Sequence, residues 1–150
     1  MLLRRTRSLT DQFLASGAIA ARLNTLVPLL QAEVNLDRAR WGANAHFSGA
    51  TYTLRQANDR ILNEYLGPRL GYLTGPSVSG VGAANPASQP PLVSVYFAAF
   101  EPVPASGVQD QEYVCLTNAN PFAVDLTGWK VRGDIEFEFE PGTVLPATSQ

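Results

Sequence analysis

Early in the chain apolar residues recur at intervals of three, four and seven: Ile19, Leu23, Leu26, Leu30, Val34 and Trp41. That spacing lays them along one stripe of a helix running to about Arg40. Ser16 is placed to cap a start at Gly17, and Gly42 is a natural stop. Pro28 lies inside the pattern. Its missing N–H and its ring predict a kink there, or a break into two shorter helices. After a polar loop over 42–51, a second helical pattern begins near Tyr52 or Thr53, with Leu54, Ala57, Ile61, Tyr65 and Leu66 on one face. Gly67-Pro68 is expected to perturb it, while Leu70, Tyr72 and Leu73 carry the pattern on for a turn or more. Two amphipathic helices with a short connection predict an antiparallel hairpin, which by itself buries little surface.

Residues 75–91, rich in Gly, Pro, Ser and Ala, show no apolar face and read as a linker. Beyond it the period changes to two. Leu92 to Phe100 reads as a first strand. Glu112 to Thr117 reads as a second, with Val114 and Leu116 on one face and Tyr113 and Cys115 on the other. Val124-Asp125-Leu126 and Trp129-Lys130-Val131 read as short strands around a tight Thr127-Gly128 turn. From Ile135 to Glu140 the alternation is strict: Ile135, Phe137 and Phe139 inward, Glu136, Glu138 and Glu140 outward. Val144-Leu145-Pro146 begins a further element. Short strands punctuated by turns predict an antiparallel sandwich.

Charge divides in the same place. Residues 1–75 carry a net +4 and residues 76–150 a net −6, within an overall −2, which supports two modules. An apolar fraction of 45% argues against disorder throughout. The one cysteine, Cys115, excludes an internal disulfide and a cysteine-cluster zinc site, but it leaves the compartment open. Met1-Leu2-Leu3-Arg4-Arg5-Thr6-Arg7 has the basic start of a signal peptide, yet Ser8-Leu9-Thr10-Asp11-Gln12 follows instead of an apolar stretch. No run approaches the roughly 18 apolar residues of a membrane span. The chain as it stands is read as having neither export signal nor membrane span.

Three segments of the second half stand in succession: Glu112-Tyr113-Val114-Cys115-Leu116-Thr117-Asn118 with Asn120-Pro121; Val124-Asp125-Leu126-Thr127-Gly128-Trp129-Lys130; and Phe139-Glu140-Pro141-Gly142-Thr143-Val144-Leu145-Pro146-Ala147. In combination they resemble the lamin tail domain, an immunoglobulin-like β-sandwich of nuclear lamins and many bacterial extracellular proteins. The first half resembles the helical C-terminal tail of bacterial CotH kinase-like proteins, through Ala20-Ala21-Arg22-Leu23, Ala39-Arg40-Trp41-Gly42 and Leu62-Asn63-Glu64-Tyr65-Leu66 to Leu73. The fold expected is α+β and multidomain: a helical region over 1–74, the linker over 75–91, and a partial lamin tail domain over 92–150. The resemblance implies later strands after Pro146-Ala147 and a kinase-like region before residue 1. The sandwich is therefore expected to be truncated, leaving parts of Val114, Leu116, Trp129 and Phe137 uncovered and prone to self-association.

No catalytic constellation emerges, and no catalytic, cofactor-binding or metal-binding residue is assigned. His46, the only histidine, lies in a polar loop without partners for a triad or a metal site. Gly80-Val81-Gly82 lies in the linker and lacks the Gly-Lys-Ser/Thr continuation of a phosphate loop. Glu136, Glu138 and Glu140, with Asp134 on the other parity, stand about 7 Å apart along an extended strand. That is too far for one ion to gather all three. They read as a solvated face. Arg4, Arg5 and Arg7 read as a solvated terminus rather than a nucleic-acid site. Trp129 reads as core, and Cys115 as an inert thiol.

The expected function is a noncatalytic interaction or structural module of a bacterial cell-surface or secreted protein. Its partner is an unidentified protein or cell-surface ligand, with no cofactor and no nucleic acid. Two alternatives stand beside it: a piece of a CotH-like protein kinase whose catalytic region lies outside this chain, and a fragment with no function of its own.

Overall fold

A computed structural model describes residues 1–42, 52–75, 85–133 and 136–149. His46, Gly80, Gly82, Asp134 and Ile135 lie outside the described residues. The chain is mixed helix and antiparallel sheet, with helices first and strands after. It divides into two compact units, Leu9–Asn85 and a strand unit made of Met1–Ser8 with Pro86–Gln150. By composition Met1–Ser8 belonged with the helices; by contact these residues group with the strands.

The helical unit begins with a wide π-helical turn, Thr10–Ala15, followed by α2 (Ala18–Trp41). Helix α1, Leu2–Leu9, precedes it in the chain. The residue that starts α2 is Gly17, at a left-handed φ of 75°, while Ser16 Oγ accepts from the Ala18 N–H at 3.2 Å. Of the two outcomes expected at Pro28, a kink or a break, the break into two helices does not occur. One α-helical segment runs from Ala18 to Trp41 straight through it. The proline side of the helix is exposed, so the ring needs no room in a packed interior. Pro28→Ala should therefore stabilise the helical unit by about 2 kcal/mol, since it restores an N–H and removes a ring clash. The check is an upward shift of its thermal unfolding followed by circular dichroism. Of the apolar stripe, Ile19, Leu23, Leu26 and Val34 are half-buried, whereas Leu30 and Trp41 are exposed.

Thr53 starts α3 (Leu54–Arg60) with a capping box: its Oγ1 accepts from the Gln56 N–H, and the Gln56 side chain accepts from the Thr53 N–H. The expected perturbation at Gly67-Pro68 takes the form of a second wide turn, Ile61–Leu66, after which α4 (Gly67–Thr74) resumes. There the Gly67 N–H reaches back to Leu62 O. Widening the turn before Pro68 relieves the clash its ring would make with the preceding turn. Helix α2 packs against α3, and a buried Asn58 donates to Asn24 Oδ1 at 2.9 Å.

In the strand unit, β1 (Val95–Glu101) pairs antiparallel with β2 (Tyr113–Asn118). A bulge falls between Phe97, opposite Leu116, and Ala99, opposite Cys115. Next come β3 (Val124–Asp125), β4 (Lys130–Val131), β5 (Phe137–Glu138) and β6 (Val144–Leu145). They nest: β4 pairs with β5 inside the pair β3–β6. The strands thus form three two-stranded antiparallel ladders. The turn after β3 uses Gly128 at φ 71°, a conformation that a side chain would strain.

The apolar core of the unit is small, centred on Val124 and Leu126. Trp129 was expected there, but it is 39% exposed. Its backbone is fully engaged, the N–H donating to Leu126 O and the carbonyl accepting from Phe139. That engagement fixes the residue in the turn leading into β4, while Leu126, on the β3 side of the turn, takes the buried position.

Candidate functional site

Two features of the strand unit stand out, one polar and one apolar. The polar one begins at Asn118, which is completely buried. Its carboxamide donates to Phe122 O at 2.9 Å and Pro146 O at 2.6 Å, while Asn118 Oδ1 accepts from Asn120 N at 2.9 Å and Nδ2 at 2.7 Å. Asn120 in turn exchanges two hydrogen bonds with the backbone of Ser94. The two asparagines therefore tie the end of β2 to the start of β1 and to the segment after β6. Each satisfies backbone groups that the loops would leave orphaned.

Asp125 plays the same part for the next turn. Its Oδ1 accepts from the N–H and the hydroxyl of Thr127, and Thr127 Oγ1 accepts from Gly142 N. The other carboxylate oxygen receives Arg5 Nη1 at 3.3 Å. Burial works to raise this carboxyl's pKa, but hydrogen bonds from Thr127, Ser8 and Arg5 outweigh it and hold the pKa below the ordinary aspartate value.

Arg5 belongs to α1 (Leu2–Leu9), where the expectation of a solvated basic terminus fails. Arg4 is only 4% exposed. Its Nε donates to Ala123 O at 2.8 Å and its Nη1 to Ala87 O at 2.9 Å, and the guanidinium stands 5.8 Å from the Phe122 ring centre. Arg7 Nη2 donates to Ser88 Oγ at 2.7 Å. These residues are held because the guanidinium group offers several donors in a fixed fork, which matches carbonyls converging from separate loops.

The apolar feature is an open groove of about 800 Å³ walled by Phe100, Tyr113 and Val114 on one side and Val131, Phe137 and Phe139 on the other. The rings of Phe137 and Phe139 meet edge to face, with centroids 5.0 Å apart. Phe137, expected to point inward, is 53% exposed, because the side it faces is this groove. Along the groove Val114 is exposed and Leu116 half-buried. Cys115 is half-buried and lines the groove.

No family model matches this chain, and no curated protein or solved structure matches it either. The site rests on its own geometry.

Of the other residues singled out by sequence, Glu136, Glu138 and Glu140 are exposed, and Glu138 meets Lys130 Nζ at 2.9 Å across β4–β5. An exposed pair of this kind contributes little to stability. Trp41 is exposed at the end of α2. Among the described residues no group of three or more His, Cys, Asp or Glu is placed to hold a metal ion. Nor is any single helix long and apolar enough to cross a membrane. Sequence reasoning missed Phe100, Tyr113 and Phe139 as groove walls. The available signal for Phe100 was aromatic residues in both phases of β1, Tyr96 and Phe100 in one and Phe97 in the other, more than one buried face can absorb.

Proposed function

We propose that this chain is a noncatalytic interaction module of lamin-tail-domain type, from a bacterial cell-surface or secreted protein, and that it docks its partner in the groove beside β2. The observation that carries this reading is the groove itself: aromatic and aliphatic walls left open to solvent, of the kind that marks a protein-binding surface. A second point supports it. The residues that carry the lamin-tail resemblance serve the backbone: Asn118, Asn120 and Asp125 satisfy loop amides and carbonyls, and Gly128 turns the chain. Such a pattern marks a scaffold, with specificity left to the surface it displays.

Association tests the proposal. Phe100→Asp/Phe137→Asp alters two side chains that are 70% and 53% exposed, so unfolding should shift by no more than about 0.5 kcal/mol per site. Binding to bacterial cell-envelope fractions, and self-association seen by sedimentation equilibrium, should both fall at least tenfold. Equal association by the variant and the parent chain would remove the groove from the proposal. Turnover of a phosphoryl donor by the purified chain would remove the noncatalytic reading.

A further inference from the structure

Helix α1 is inside out. A surface helix ordinarily turns its leucines inward and its charges to water. Here Met1 and Leu2 are more than 70% exposed, and Arg4 is buried against the strand unit. The contacts form a set. Arg4 bridges two carbonyls, Ala87 O and Ala123 O, that lie far apart in sequence. One turn of helix away, Arg7 and Ser8 share that face, with Arg7 on Ser88 and Ser8 on Asp125. Arg5, beside them, lies between Asp125 Oδ2 at 3.3 Å and Thr127 Oγ1 at 3.0 Å. The receiving surface is prepared without α1: Asp125 is already oriented by the Thr127 N–H and hydroxyl, and Gln89 fixes the β3 backbone by accepting from Asp125 N at 2.7 Å.

We propose that the strand unit carries a binding site for an arginine-bearing helix, formed by Asp125, Thr127 and the Ala87 and Ala123 carbonyls, and that its resident ligand is the chain's own residues 2–8. The site is separate from the apolar groove, since none of these four residues lines it. It reads geometry as well as charge. A lysine ammonium is a single point and cannot span two carbonyls in the manner of Arg4, whose Nε and Nη1 each take one.

The test uses the full chain, with the Thr127 and Gly142 amides as reporters because both lie in the Asp125–Thr127 hydrogen-bond cluster. Arg4→Lys/Arg5→Lys keeps the charge and should shift both amide resonances. A synthetic peptide of residues 1–9 should then restore them, whereas the same peptide with lysine at positions 4 and 5 should not. Tethering supplies an effective concentration on the order of millimolar, so the peptide is used at that level or above. Failure of the native peptide to restore the shifts, or equal restoration by the lysine peptide, overturns the proposal. Should the variant not fold, the parent chain decides. Its Arg4 Nε–H should give a side-chain NMR signal that exchanges at least tenfold more slowly with water than in the free peptide. Exchange as fast as in the peptide overturns the proposal as well.

Discussion

Asn118→Ala should destabilise the strand unit by about 3 kcal/mol, the largest single effect expected in this chain. The residue is fully buried, and its carboxamide serves loops on two sides. Truncation leaves the Phe122 and Pro146 carbonyls without those donors, and Asn120 without the acceptor for both its N–H and its side chain. Each orphaned buried group costs roughly 1–3 kcal/mol, more than the bond itself contributed. Asn118→Asp is the sharper control. It keeps the shape, but it replaces the donating amide with an oxygen that faces two carbonyl oxygens, so it should be at least as damaging. Urea unfolding, read through amide exchange in β1 and β2, checks both. A change under about 0.5 kcal/mol in either variant would show that the asparagine fills space and ties nothing.

Asp125→Ala should cost about 2 kcal/mol and, more tellingly, should remove an acid transition. The parent carboxyl titrates below its ordinary value because Thr127, Ser8 and Arg5 stabilise its charged form against the opposing effect of burial. A depressed folded-state pKa means that stability is fully present above the unfolded aspartate range, near roughly 3.9, and is lost as pH falls through the lower folded value. Parent stability should therefore decline on acidification from about pH 5, with α1 losing protection from exchange along with the Thr127 turn. In the variant both regions should already be exchangeable at neutral pH, and the acid slope should flatten. Equal acid slopes in parent and variant would assign the transition to other carboxylates.

Much of the strand unit was legible because its pattern is local. The tight turn at Thr127-Gly128 and an element at Val144-Leu145 follow from alternation and turn chemistry. The apolar pattern beginning near Tyr52 or Thr53 placed the start of α3, which Thr53 caps. What stayed hidden is non-local. Arg4 and Ala123 are 119 positions apart, and no periodicity within Leu2–Leu9 states what the helix packs on. Trp129 misled for a related reason: a large aromatic after a turn suggests a core, but the two-residue ladder β4–β5 covers little of its ring. At Pro28 the chain keeps one helical segment instead of two, so one proline did not decide where the helix ends. The groove lay between these cases. Its apolar residues were visible one by one, and their convergence required the pairing of β4 with β5.

The bulge in β1 makes that strand unusually forgiving of changes in length. Ala98 has no partner of its own across the ladder, since Phe97 meets Leu116 and Ala99 meets Cys115 directly. The strand therefore contains a spare residue. Losing it would leave every facing pair from Val95 to Glu101 as it is, and a loss at Ala99 could be made good by Ala98 moving up opposite Cys115. In most strands a one-residue deletion exchanges the two faces and is ruinous. Lineages of this sequence could shed or regain a residue here while Phe97 and Phe100 stay across from Leu116 and Val114.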